Sequence, residues 1–101
     1  MRVELTRMGS LVVPSEVAAR CFGDDATVLV DAADGVLRLT RLADTAVGGL
    51  LLKRRNAAGD RSVLVIEYLP ESWVSGEREA DWDDGRRTLS IAVWCPEGQP
   101  V

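Results

Sequence analysis

Thr6-Arg7-Met8-Gly9-Ser10-Leu11-Val12-Val13-Pro14-Ser15-Glu16-Val17 is the stretch whose reading decides the fold. Leading into it, Arg2, Val3, Glu4, Leu5, Thr6 and Arg7 alternate with the period of two expected of a strand with one wet face. Gly9-Ser10 permits a bend, after which Leu11-Val12-Val13 resumes an extended path. Pro14 ends that strand, because proline cannot donate to a ladder. Ser15 is suited to cap a helix, and Glu16 sits just inside it, where a carboxylate favours the helix dipole. A short helix over residues 16–22 follows, with Val17 and Cys21 four residues apart on one face and Ala18 and Phe22 nearby. Gly23 stands where a left-handed C-terminal cap belongs.

Beyond the helix, Asp24-Asp25 turn the chain outward and residues 26–30 read as a buried strand. Asp31-Ala32-Ala33-Asp34-Gly35 is a hairpin signal, since Asp and Gly tolerate the backbone angles of a tight reversal. Residues 36–42 run back, with Leu37 and Leu39 on one side and Arg38 and Thr40 on the other.

The order strand, Gly-Ser bend, apolar strand, Pro, short helix, strand, Asp-Gly turn, strand resembles the AbrB/MazE-like swapped-hairpin family. The matching residues are Gly9, Pro14 after Leu11-Val12-Val13, the helix closed by Gly23, and the hairpin turning at Asp34-Gly35; the resemblance covers residues 5–42. It implies that two such segments interleave into one small barrel, and hence an obligate homodimer. It also implies a DNA-binding regulator or an antitoxin, with Arg7 and Arg20 in the positions of the family's basic contacts. In this chain Ser10 is uncharged, the helix carries one basic residue, and acids outnumber arginines across the segment, so the implied fold is better matched than the implied DNA contact.

Residues 43–49 form a small-residue connector, where the resemblance stops. Leu50-Leu51-Leu52-Lys53-Arg54-Arg55 reads as a strand, Asn56-Ala57-Ala58-Gly59-Asp60 as a hairpin loop, and residues 61–69 as a long return strand closed by Pro70. Residues 71–87 read as a polar, acidic excursion carrying Trp73 and Trp82. Thr88, Leu89, Ser90, Ile91, Ala92, Val93 and Trp94 alternate again, Cys95-Pro96 ends that strand, and residues 97–101 form a frayed tail. The expected fold is therefore mainly β, a single domain over 1–101: an AbrB-like swapped-hairpin barrel with one short helix in 1–42, and a β-hairpin extension with an acidic loop in 50–95.

Composition narrows the chemistry. At 101 residues the chain holds one modest core, too small to hide a deep site between domains. Its formal charge of -4 is spread over both halves, which opposes a phosphate backbone at long range. It has no histidine, which removes the usual general base, triad partner and metal ligand together. Cys21 and Cys95 lack the close second Cys or His of a zinc site; they read as two partly buried thiols, or as a disulfide in an oxidising compartment. Glu4 and Arg7 interrupt the apolar run that an export signal would need, and no apolar stretch approaches the ~20 residues of a membrane span, so the expectation is a cytoplasmic protein without membrane contact.

Three constellations remain. Lys53, Arg54, Arg55 and Arg61 flank one hairpin loop, either as a site for an acidic partner or as a solvated hairpin end that protects an edge strand. Asp81-Trp82-Asp83-Asp84-Gly85 places its glycine one position early for a calcium loop and lacks the closing Glu, so it reads as a turn. Trp73 and Trp82 read either as a docking surface or as side chains folded back over the barrel. These features predict no catalytic residues, metal or cofactor, and a non-catalytic accessory or adaptor that binds another protein in assembly or regulation of a larger complex. Trp73, Trp82, Lys53, Arg54, Arg55 and Arg61 are its expected contacts. The alternative is the AbrB-like DNA-binding regulator or antitoxin acting through Arg7 and Arg20.

Overall fold

The computed structural model describes residues 1–23, 27–42 and 49–93. The Asp24-Asp25 turn, the connector at 43–48, Trp94, Cys95 and the tail lie outside the described residues. Strands β1 (Arg2–Leu5) and β2 (Ser10–Val13) lead into helix α1 (Ser15–Cys21), followed by β3 (Thr27–Ala33), β4 (Val36–Arg41), β5 (Leu50–Leu51), β6 (Lys53–Arg54) and β7 (Arg61–Leu64). A 3-10 turn at Ile66–Tyr68 precedes β8 (Gly76–Asp83) and β9 (Thr88–Ala92). The fold is mainly β with one short helix, and among the described residues no helix is long and apolar enough to cross a membrane.

The strands form one antiparallel sheet in the order β5-β3-β4-β9-β8-β1-β2-β7-β6. β5 and β6 stand at opposite ends of that order, yet only Leu52 separates them in the chain. The sheet must therefore curl until its ends nearly meet, as a barrel. β8 forms a second corner, pairing with β1 through Gly76, Glu77, Arg78 and Glu79, then with β9 through Ala80, Asp81, Trp82 and Asp83. Every outer edge of the β1–β2 and β3–β4 hairpins is occupied by a strand from 50–93 of the same chain, so this half is threaded between the hairpins rather than appended to them.

Alternation along the strands fills the interior. Val3, Leu5, Leu11, Val13 and Val63 face inward from one wall, and Val28, Leu37, Leu39, Leu89 and Ile91 from the other. α1 turns Val17, Ala18 and Cys21 onto the same core, and Phe22 beyond it is completely buried. Each large side chain of this kind contributes roughly 1.5–3 kcal/mol by leaving water.

The local signals of the first half form as expected. Gly9 bends the chain at φ +82°, and Gly23 closes the helix at φ +71° with its N–H on the Ala18 carbonyl. Asp34 and Gly35 both adopt positive φ, the requirement of a two-residue hairpin turn. One local reading is corrected: the N-cap is Pro14, and Ser15 is the first helical residue, its N–H held by Asp60.

The second half departs further. The strand expected over 50–55 breaks at the buried Leu52, where the chain leaves one wall for the other. The long return strand stops at Leu64, because the Val65 N–H is taken by the Gly9 carbonyl and a 3-10 turn follows. The acidic excursion over 71–87 contains strand β8, with Glu77, Glu79, Asp81 and Asp83 pointing outward and Arg78, Ala80 and Trp82 inward. Its period of two was present, but an arginine, an alanine and a tryptophan do not resemble a core face.

Candidate functional site

The barrel leaves a seam where its ends meet. β6 pairs with β7 through Lys53 with Ser62 and Arg54 with Arg61. Before the intervening Leu52 the chain is paired with β3 instead, Leu51 with Thr27 and Leu50 with Val28. No ladder pair joins β5 to β7, and a groove of about 290 Å³ opens between Leu50, Leu51 and Lys53 on one bank and Ser10, Ser62 and Leu64 on the other.

Apolar side chains gather around this seam. Leu51 is 49% and Leu64 57% exposed, both lining the groove. Leu29 shares the outer face of β3 with Thr27, the cross-strand partner of Leu51, and is as exposed as Leu51. Ile66 lies over Gly9, next to the solvent-exposed Met8, and its 3-10 turn, which also carries the half-exposed Tyr68, rests against β3. Single exposed apolar residues are ordinary, whereas a contiguous group of them marks an interaction surface. Lys53 is the one charged residue lining the groove, and it has no hydrogen-bond or ion-pair partner among the described residues.

The expected basic contacts disperse. Arg54 folds back on its own loop, Nε donating to the Asn56 carbonyl at 3.0 Å and Nη2 to that of Ala57 at 3.1 Å. Arg61 has an interaction of its own and, with Arg54, lines a separate cleft beside α1. Arg55 is exposed in the loop. Arg7 lies in the exposed turn after β1, whereas Arg20 lines a cleft of about 410 Å³ with Met1, Arg2 and Glu16 at the other end of that strand. Arg7 and Arg20 therefore stand at opposite ends of the β1–β2 hairpin.

Both tryptophans are half-buried against the core. Trp82 meets Phe22 edge to face, with ring centroids 5.4 Å apart, and its indole N–H reaches Asp84 at 3.4 Å. The apolar residues around the seam were missed in the sequence because Leu64 and Ile66 sat inside an apparent strand and Met8 inside a turn. Their one available signal was that alternation in residues 61–69 leaves Leu64 and Ile66 on the same side.

Burial pushes the Cys21 thiol up, against the opposing influence of Arg20. The Asp60 carboxyl is held below its ordinary value first by the Asn56 amide and then by the Ser15 N–H. Among the described residues no group of three His, Cys, Asp or Glu lies close enough to hold a metal ion. Comparison with known proteins found no matching family, curated protein or solved structure.

Proposed function

We propose that this chain is a non-catalytic adaptor that holds another protein through the seam face. The observation that carries the reading is the pair of exposed leucines, Leu51 and Leu64, lining a groove that the barrel's own ladder leaves open, with Leu29 exposed on the neighbouring strand. Among the described residues the groove has a single titratable lining residue, Lys53, and the chain has no histidine, so the surface is better suited to docking than to proton transfer. Trp73 and Trp82 support it from within by fixing the barrel.

The test compares proteins recovered from cells by the wild-type chain and by Leu64→Ser, with duplex DNA binding measured in parallel at low salt. The adaptor reading expects a protein recovered in near-stoichiometric amount by the wild type and lost with Leu64→Ser, with both chains equally folded by circular dichroism. Recovery that ignores the substitution overturns it. So does salt-dependent DNA binding that falls with Arg7→Ala or Arg20→Ala while no protein is recovered.

A further inference from the structure

Resting on that adaptor reading, we propose that the seam takes an acidic and apolar segment of the partner: one aliphatic or aromatic side chain seated between Leu51 and Leu64, beside a carboxylate that pairs with Lys53.

The dimensions favour a side chain over a cofactor. The groove's volume, about 290 Å³, lies at the lower edge of the ~300–1,000 Å³ typical of small-molecule pockets. Its walls are aliphatic, from Leu50, Leu51, Val63 and Leu64, and among the described residues offer no aromatic ring on which a flat ligand could stack. An inserted apolar group would cover the half-exposed leucines and remove their surface from water.

Lys53 sets the charge. Lys53 lines the groove with no partner among the described residues, while its neighbour across the ladder, Ser62, is neutral. Filling the groove strips water from the lysine ammonium, so an occupant without an anion would leave it desolvated, whereas a carboxylate would gain a charge-assisted bond. Arg7, exposed beside Met8, adds a second positive charge on the side of Ile66; Glu67, in the 3-10 turn, is the acidic neighbour it must outweigh. Ser10 and Ser62 give hydroxyls to the backbone of a segment lying along the groove.

A second copy of this chain fits less well. Its acidic row on β8 faces outward while the intervening Arg78, Ala80 and Trp82 face inward, so that row brings charge without an apolar anchor. The exposed Val74, between Glu71 and Glu77, is a weaker match.

The experiment selects a random dodecapeptide phage library on the full chain, on Lys53→Glu and on Leu64→Ser, with all three chains checked by thermal melts. The wild type is expected to enrich peptides carrying Leu, Ile or Phe next to Asp or Glu. Lys53→Glu should keep the apolar residue and exchange the acid for Lys or Arg, and Leu64→Ser should weaken a synthesised wild-type peptide about tenfold or more. A consensus without acids, or one indifferent to Lys53→Glu, overturns the proposal but leaves the adaptor reading standing if Leu64→Ser still abolishes binding. No enrichment over a control surface overturns both. Sedimentation showing self-association lost with Leu64→Ser assigns the seam to a second copy and overturns the acidic-segment proposal.

Discussion

The Asp60 carboxylate accepts the backbone N–H of Ser15 at 2.8 Å across 45 residues of chain. Pro14, at the N-cap, has no side-chain acceptor to offer, so the loop before β7 supplies what the helix cannot. The same carboxylate takes the Asn56 amide on its other oxygen at 3.0 Å, which ties the loop to the helix start.

This bond makes stability acid-sensitive in one direction. Asp60 is held below its ordinary value of 3.8, so its contribution is present above that value and lost as pH falls through the depressed one. Asp60→Asn should therefore melt below the wild type at neutral pH, with the gap closing as the pH is lowered beneath 3.8. Melting temperatures of both chains across an acid series check this; a gap that persists or widens in acid contradicts it.

Gly9 should not tolerate a side chain. Its φ is +82°, and a Cβ there would stand 2.6 Å from the Ile66 side chain. Gly9→Ala should cost more than about 1 kcal/mol, from backbone strain and from displacement of Ile66. Adding Ile66→Gly, which removes the Cβ at 2.6 Å that alanine would keep, should recover part of the loss, since the clash is relieved and the strain is not. A urea-unfolding double-mutant cycle measures the coupling, and additive losses would rule out the contact.

Phe22 and Trp82 form the pair that shuts the core over the helix end. Phe22→Ala, at a completely buried position, should cost roughly 3–5 kcal/mol. Trp82→Ala should cost less, because half-buried Trp82 forfeits less surface, and combining the two should cost less than their sum. Circular dichroism melts of the single and double variants test the ordering.

Arg78 is 6% exposed, with Nη1 on the Glu77 carbonyl at 2.9 Å, Nη2 on the Val74 carbonyl, and Nε buried without a partner among the described residues. It clamps the bend into β8. Arg78→Ala should lose about 2–3 kcal/mol through these charge-assisted bonds. Arg78→Lys should recover little, since an ammonium lacks the planar fork that reaches both carbonyls. Equal stability of Arg78→Lys and wild type in urea would contradict the clamp.

Cys21 is 3% exposed, and its thiol is raised by burial, so it should react with a thiol reagent slowly in the folded chain and rapidly in urea. Timing the release of chromophore from Cys95→Ser, which isolates Cys21, checks this; fast labelling of the native chain would contradict the burial.

Local chemistry made much of the first half legible. The bend at Gly9, the helix before Gly23 and the Asp34-Gly35 hairpin each depend on the backbone preferences of a few adjacent residues, and they form where those residues stand. The absence of histidine and the dispersed charge likewise needed no coordinates. In contrast, β8 was hidden because one of its inward positions is charged: Arg78 is accommodated inside only by the Val74 and Glu77 carbonyls, while Trp82 finds its core partner, Phe22, far away in the sequence.

The seam lay wholly beyond the sequence. Leu50, Leu51 and Leu52 are one residue type in succession, with no periodicity to separate a half-buried, an exposed and a buried leucine. Which of them faces water depends on where the chain leaves β3 for β7, and that crossing follows from closing a sheet whose ends belong to distant parts of the order. Turns and strand faces were thus determined by neighbours in the sequence; the groove, the exposure of Leu51 and Leu64, and the place of Lys53 on its wall were decided only by the closure of the barrel, because ladder partners are chosen through space.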